Sequence, residues 1–409
     1  MSRNKVLMIM IDGVSADYFE AHRHRLPYLS RLAEGGCQVK RMKSPIPATS
    51  MPGRASILSG LTADRHGIFG NRIFQDGCFA PADSEDMRVP SIATLASSAG
   101  LDVACIGHAL IRPDDVSIYV PPCWLRGPSF IKVSASRETS SLLRIKDPLQ
   151  RLSGVPLPSL EMKTSTETNH FAEYLMGDQL IIGAVASLLR STAAPPDLIL
   201  AEINVTDTAQ HLFGHESDQA HFAMAFADSL VGLCLDSLRQ RQDDSEYTLA
   251  ILSDHGHGAI SKTIYIDRVI PEWVSDAEGS TLHVIVKSGA ERDEVERRLT
   301  KFGAEPWNGS HLPPELRGYM ATFVAPPGYD FGNAPGDTPE DMLVGDSRYQ
   351  STHGFRPGTA ADDRFCLFSG RQIPNRVIEE ADAESFAPTV SALLDLPLAQ
   401  FFTRPLFAV

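Results

Sequence analysis

Aspartate and histidine recur along this chain at spacings that could grip a cation. In Asp207-Thr-Ala-Gln-His211 the interval of four would put both side chains on one face of a helix. Asp and His together suit zinc, with manganese or iron as alternatives. Alone the pair is weak, since most such pairs are exposed helix residues. In Ser253-Asp-His-Gly-His257 the adjacent Asp254 and His255 point in different directions, so they serve two roles around a metal rather than a charge relay. Asp12 closes an early apolar run, and His353 stands in Ser351-Thr-His-Gly354. Near residue 50, Pro47-Ala-Thr-Ser-Met-Pro-Gly-Arg54 leads into a helix-like Ala55–Leu58. A hydroxyl at a helix N-terminus meets free N–H groups that favour an anion. The bland alternative is that Thr49 or Ser50 is an ordinary N-cap.

Apolar runs at Val6–Ile11, Val103–Ile106, Leu198–Ile203 and Thr248–Leu252 have the look of buried parallel strands, each followed by a turn and a helical stretch. Alternation of this kind predicts an α/β sheet with ligands gathered at the carboxyl ends of its strands. Asp12, Asn204, Asp207, Asp254 and His255 all fall there. Residues 115–165 are rich in Pro, Ser and Arg and read as a loop-rich excursion. Residues 262–345 read as a second unit, with strands at Thr281–Val286 and Tyr319–Val324 around a charged helix Arg292–Phe302. The expected organisation is a catalytic core over 1–261, a cap insertion over 262–345 and a return to the core over 346–409. Because the insertion separates His255 from His353, it is expected to lie over the site as a lid that contacts the substrate.

An apolar fraction of 43% and a charged fraction of 22% over 409 residues are those of a globular protein. The net charge of −14 argues against nucleic-acid or anionic-membrane partners, though an anionic substrate remains compatible once bound cations reverse the local field. Val6–Ile11 is short and ends at Asp12-Gly13 without a signal-peptide cleavage site, no window approaches the length of a membrane span, and the six cysteines show no paired spacing. A cytoplasmic protein with reduced thiols is the expectation.

The ordered set of Asp12, a hydroxyl near residue 50, D-x-x-x-H, D-H-G and a late H-G resembles the alkaline phosphatase superfamily, in its nucleotide pyrophosphatase/phosphodiesterase branch. The Ser59-Gly60 stretch, His66-Gly-Ile-Phe-Gly-Asn71 and Ser351-Thr-His-Gly354 are similar in layout to phosphonoacetate hydrolase. The resemblance implies a mostly parallel central sheet flanked by helices, with a smaller α+β cap. It also implies two divalent ions, zinc first. Asp207, His211 and His353 would hold the ion that receives the incoming water; Asp12, Asp254 and His255, with Ser50, would hold the other. Ser50 corresponds to the nucleophile by counting back from Gly60 through Pro52, although the branch usually has threonine and Thr49 is adjacent. Asn71 matches an asparagine that contacts a phosphoryl oxygen, and the reaction would pass through a covalent phospho-serine.

Phosphonoacetate hydrolases grip the substrate carboxylate with a lysine pair, whose positions fall here on His108 and Leu110, with Arg112 as the nearest replacement. His108 and Arg112 are therefore the expected substrate-binding residues. The implied substrate is a small phosphate ester of phosphodiester or pyrophosphate type, ahead of a phosphonate and then a monoester; the oligomeric state stays open. Ser50-Met-Pro-Gly-Arg54 also spells the Ser-x-Pro-x-Arg of sulfatases, but those carry paired aspartates after strand one, where Gly13 follows Asp12 here. A metalloenzyme mutase and a metal-binding protein without catalysis are the remaining alternatives. His215 and His257 have a lesser claim as ligands, His22, His24, His66, His221 and His311 read as solvated or structural, and Trp124 as packing.

Overall fold

The computed structural model describes residues 4–44, 46–126, 143–158, 167–191, 195–241 and 247–408. Residues 127–142 and 159–165 of the 115–165 excursion fall outside them. The main sheet takes six strands from the first part of the chain: β1 (Lys5–Ile11), β2 (Cys37–Lys43), β3 (Val103–Ile106), β4 (Ile118–Val120), β5 (Leu198–Ile203) and β6 (Tyr247–Leu252). The cap segment contributes β7 (Ser275–Glu278), β8 (Thr281–Ile285), β9 (Glu305–Trp307) and β10 (Met320–Val324), which form a sheet of their own. The chain then returns as β11 (Arg364–Ser369) and β12 (Arg376–Asp382).

The eight-stranded sheet runs in the order β12-β2-β11-β6-β1-β5-β3-β4. β1 pairs in parallel with β5 on one side and β6 on the other, Met8 facing Leu200 and Ala250. β11 is antiparallel to both of its neighbours. The apolar run of β1 is continuous because both faces are covered. Val6 and Met8 enter the core with the helix α2 (Ser50–Ser59); Leu7, Ile9 and Ile11 enter the opposite core, built against α3 (Glu167–Ser191) and α5 (Asp218–Arg241). By length and composition α3 and α5 each contain a stretch that could cross a membrane, contrary to the expectation that none would. About half of each such stretch is buried inside this fold, as in a core helix.

Two local devices fix the strand ends. α1 (Ala16–His22) begins on Ser15, whose Oγ accepts the Tyr18 N–H. α4 (Val205–Phe213) carries Asp207 and His211, and its N-terminus is held from α3: the Asp178 carboxyl accepts the N–H groups of Asn204 (2.9 Å) and Val205 (2.7 Å). Burial pushes Asp178 up to about 8, so near neutral pH it acts chiefly as a neutral acceptor. Asp178→Ala, which strands two buried amides, should destabilise the fold by about 1–3 kcal/mol. Asp178→Asn, which keeps an acceptor oxygen, should cost clearly less. Equal losses in denaturant unfolding of the two variants would remove the hydrogen bonds as the cause.

Candidate active site

Asp12 stands one residue beyond β1, where Gly13 turns the chain with φ +73°. A Cβ on Gly13 would come within 3.0 Å of both Asp207 Oδ1 and the His257 ring. The same loop is fastened to α4: Thr206 Oγ1 donates to the Asp12 carbonyl (2.5 Å) and Gln210 Nε2 to that of Gly13 (2.7 Å). Asp254 and His255 follow β6. Asp254 Oδ1 accepts the N–H groups of Gly13 (3.2 Å) and His255 (3.1 Å), turning Oδ2 inward. α2 approaches so closely that a Cβ on Gly53 would stand 2.3 Å from the Asp254 carbonyl oxygen, which explains the glycine.

Four donors converge at this corner. His255 Nδ1 lies 3.0 Å from the Gly256 carbonyl, so Nδ1 carries the hydrogen and Nε2 faces Ser50 Oγ (3.0 Å), Asp12 Oδ1 (3.2 Å) and Asp254 Oδ2 (3.7 Å). Asp12 Oδ1 and Asp254 Oδ2 are buried without a hydrogen bond of good geometry. Burial alone would lower the His255 pKa, but the carboxylates of Asp254 and Asp12 outweigh it and push the imidazole up to about 9. The corner therefore demands positive charge.

A second group centres on Asp207 Oδ1, which lies 2.8 Å from His257 Nε2, 3.5 Å from His211 Nε2 and 3.9 Å from His255 Nε2. The His353 ring sits 5.1 Å from that of His211 and 4.2 Å from that of His255, and its buried Nδ1 has no hydrogen-bond partner among the described residues. Asp207 with His211 and His257, and Asp207 with His255 and His353, each offer ligand atoms within 4.8 Å of one another. His211 Nδ1 donates to the Ser351 carbonyl (2.9 Å), leaving Nε2 free. Ser351 Oγ spends its hydrogen on the Gln210 carbonyl (2.6 Å), so it accepts from His257 Nδ1 (3.0 Å). His257 Nε2 then presents a lone pair to a carboxylate oxygen 2.8 Å away, and a proton or a cation must lie between them. Burial drives the His257 pKa down to about 3, which favours the cation. Both groups thus fit divalent ions of the zinc class, and His257 stands nearer its centre than the sequence suggested.

Arg54, wholly buried, holds the corner together. Its Nη2 donates to Asp12 Oδ2 (2.6 Å) and Glu202 Oε1 (2.7 Å), its Nε donates to Glu202 Oε2 (3.3 Å), and its Nη1 lies 2.9 Å from Asp254 Oδ2. The sequence pattern assigned this arginine no role and did not single out Glu202, although a lone acid in the apolar run Leu-Ile-Leu-Ala-Glu-Ile was a usable signal. Glu278, also missed, accepts the Thr49 hydroxyl (3.0 Å) and the Arg72 N–H (2.9 Å); burial, then the charge of Asp276, push it up to about 8. The Thr49 hydroxyl is thereby committed, whereas that of Ser50 faces the corner of Asp12, Asp254 and His255.

A cavity of about 330 Å³ opens over Ser50 and Asp207, walled by Met51, Asn71, Arg72, Trp124 and Tyr174. Asn71 Oδ1 accepts the Met51 N–H (2.8 Å), which leaves its Nδ2 as a donor at the cavity. The first turn of α2 offers fewer free N–H groups than the sequence implied, since Pro52 has none and that of Met51 is used. His66 is structural as expected, accepting the Ile68 N–H at Nδ1 and bonding Ser56 through Nε2.

The expected carboxylate clamp is not at this cavity. His108 is fully buried, with Nδ1 on the Ala109 carbonyl (2.8 Å), because positive φ at Gly107 (+79°) and Leu110 (+58°) folds the loop inward. Arg112 turns to the Ser84 carbonyl (3.3 Å) and Glu85 (3.5 Å) and lines a separate pocket. The insertion reaches the site through Glu278, which bonds Thr49 and Arg72, the residues next to Ser50 and Asn71.

The chain matches the model of the type I phosphodiesterase / nucleotide pyrophosphatase family over residues 6–366. It is similar to mouse ectonucleotide pyrophosphatase/phosphodiesterase family member 1, 22% identical over 267 residues that cover 64% of this chain and 25% of that protein. It is likewise similar to a venom phosphodiesterase of Naja atra, 22% identical over 63% of this chain and 27% of that protein. The match thus spans about a quarter of the length of these curated relatives. Among solved structures it resembles murine ectonucleotide pyrophosphatase / phosphodiesterase 5 (TM-score 0.67, 16% identity, 96% of this chain and 95% of that one). The human form matches with TM-score 0.67 and 17% identity, over 98% of this chain and 96% of that one. With a family model matched over most of its length and the same fold in those structures, the chain belongs to the type I phosphodiesterase / nucleotide pyrophosphatase family.

Proposed function

We propose that this chain hydrolyses phosphate esters of the phosphodiester or pyrophosphate type, with Ser50 as nucleophile. The observation that carries the reading is the placement of Ser50 Oγ, 3.0 Å from His255 Nε2 at the floor of the cavity, with Asn71 beside it. Asp12, Asp254, His255 and Ser50 would hold one divalent ion; Asp207, His211 and His353, with His257 adjacent, would hold the other. Bound there, such ions lower the pKa of the serine hydroxyl and neutralise the phosphoryl oxygens. Ser50 Oγ forms the new bond to phosphorus as the bond to the leaving oxygen breaks. Water then cleaves the phospho-serine ester, returning the proton to Ser50 and releasing the phosphoryl product. Asn71 Nδ2 donates to an oxygen on which charge develops.

The cavity supports an ester carrying a sizeable second group, since Trp124 and Tyr174 provide aromatic walls. An inactive threonine-to-alanine variant of the murine phosphodiesterase 5 was solved in complex with AMP, which favours a nucleotide for the present cavity too. A phosphonoacetate substrate loses support, because His108 and Arg112 turn away.

Ser50→Ala should lower turnover of bis-p-nitrophenyl phosphate by several orders of magnitude while metal content persists, and Thr49→Ala should do much less harm. The reverse order would move the nucleophile to Thr49. Faster cleavage of p-nitrophenyl phosphate or p-nitrophenyl sulfate than of the diester would overturn the substrate class.

Metal loading should depend on pH through His255. Its pKa in the metal-free fold, about 9 against an ordinary 6.5, means that the proton stabilises this fold fully below 6.5 and is lost as pH rises through 9. A metal ion must displace that proton, so zinc affinity should climb from pH 6.5 to 9 and then level off. Calorimetric titrations giving the same affinity at pH 6.5 and 9 would exclude His255 as the proton-linked ligand.

A further inference from the structure

A second cluster of metal-binding side chains lies apart from the catalytic residues. His22 ends α1, Glu216 sits in the turn between α4 and α5, and His221 lies in the first turn of α5. His22 Nε2 is 3.0 Å from Glu216 Oε2, His221 Nε2 is 3.9 Å from the same oxygen, and the three atoms lie within 4.8 Å of one another. A tetrahedral zinc ion with ligands at about 2.0–2.1 Å separates them by about 3.3 Å, so small side-chain adjustments suffice. The two imidazoles are held in place: His221 Nδ1 lies 2.8 Å from the hydroxyl of the buried Tyr18, and the His22 ring packs on Tyr18 and His221 with centroids 4.6 and 4.4 Å away. That hydroxyl fixes the orientation of the His221 ring, turning Nε2 toward Glu216, and it can accept the Nδ1 hydrogen when Nε2 meets a cation.

Hydrogen bonding leaves this geometry incomplete. The His221–Glu216 contact of 3.9 Å is too long for a hydrogen bond, and both rings, 4.4 Å apart, could not be protonated without repulsion. A divalent cation answers both lone pairs and the carboxylate together. We propose that His22, Glu216 and His221 form a third metal site, specific for a zinc-class ion and structural in effect. It joins α1, which follows the Asp12 loop, to the turn that ends the Asp207–His211 helix and to α5. Because Glu216 is exposed, the remaining coordination positions are open to water. The Arg25 charge beside His221 opposes the ion and that of Asp218 favours it, so binding should be weaker than at the catalytic groups.

The test is a count of ions on the full-length protein, by equilibrium dialysis against zinc and elemental analysis, for wild type, Glu216→Gln and the double variant His22→Gln/His221→Gln. Both variants should hold one ion fewer than wild type at moderate free zinc, with Glu216→Gln weakening that ion by about tenfold or more. Zinc should raise the thermal midpoint of wild type further than that of Glu216→Gln, whose midpoint in chelator should match wild type because its side chain is exposed. If the double variant fails to fold, Glu216→Gln still decides. Equal ion counts and equal zinc-induced midpoint shifts in wild type and Glu216→Gln would leave only a surface ion pair and overturn the site. The comparison is a difference of one, so it holds whatever number of ions the catalytic groups bind.

Discussion

One guanidinium sealed among three carboxylates governs the rest of this structure. Arg54 meets Asp12, Asp254 and Glu202 in a buried corner beneath the cavity. A buried charge left alone costs several kcal/mol, so none of the four can be removed without stranding the others. Because Arg54 sits on the second turn of α2, satisfying it fixes how deeply that helix enters, and Gly53 is what permits the depth. Ser50, one turn earlier, is thereby set 3.0 Å from His255. Glu202 spreads the same constraint outward by accepting the Ala109 N–H (3.2 Å) and the Trp124 indole N–H (3.1 Å), so a cavity wall hangs from the same acid.

Arg54 answers only part of the negative charge, and the imidazoles turn their Nε2 atoms toward the remainder. His255 and His211 give their Nδ1 hydrogens to backbone carbonyls, and His257 gives its own to Ser351. In each case Nε2 is left to face carboxylate oxygen. Ser351 lies on a short strand paired with Gly258–Ala259, and Gly256 lies just before that partner, so these ring orientations are set by the chain itself. Ser351 fixes two of these rings, one through its carbonyl and one through its hydroxyl. That accounts for a serine two residues before His353 without any contact with substrate.

The chemistry is legible in the sequence where it lies in residue type and short spacing. Asp207 and His211 share a helix face, and Asp254-His255 follows a strand of six buried residues, because apolar periodicity and local geometry decide such things. The four central strands are readable for the same reason. β2 (Cys-Gln-Val-Lys-Arg-Met-Lys) and β12 (Arg-Val-Ile-Glu-Glu-Ala-Asp) are not, since they lie to one side of the sheet and carry charged, partly exposed side chains. Arg54 with Glu202, and Thr49 with Glu278, escape because their partners are 148 and 229 residues apart, and no local pattern announces such pairing. His108 and Arg112 are misplaced by register alone: counting positions cannot show that positive φ at Gly107 and Leu110 turns the loop away.

The insertion between His255 and His353 contributes to the site through hydrogen bonds to the segment that carries Ser50. Its first long hairpin, β7 with β8, delivers Glu278 to Thr49 and Arg72 and delivers His283 Nε2 to the Phe69 carbonyl (3.1 Å). These bonds grip both ends of the segment from Thr49 to Arg72, the span that includes Ser50, Arg54 and Asn71. Glu278 and His283 are buried, and burial pushes the former up to about 8 and the latter down to about 4, so both act as neutral hydrogen-bonding groups near neutral pH. Neutral contacts can hold this segment without adding charge beside a corner already crowded with it. The two tasks are therefore divided: charged residues on the strand ends and α2 carry the charge of the corner, while uncharged contacts from the insertion keep Ser50 and Asn71 in register with it.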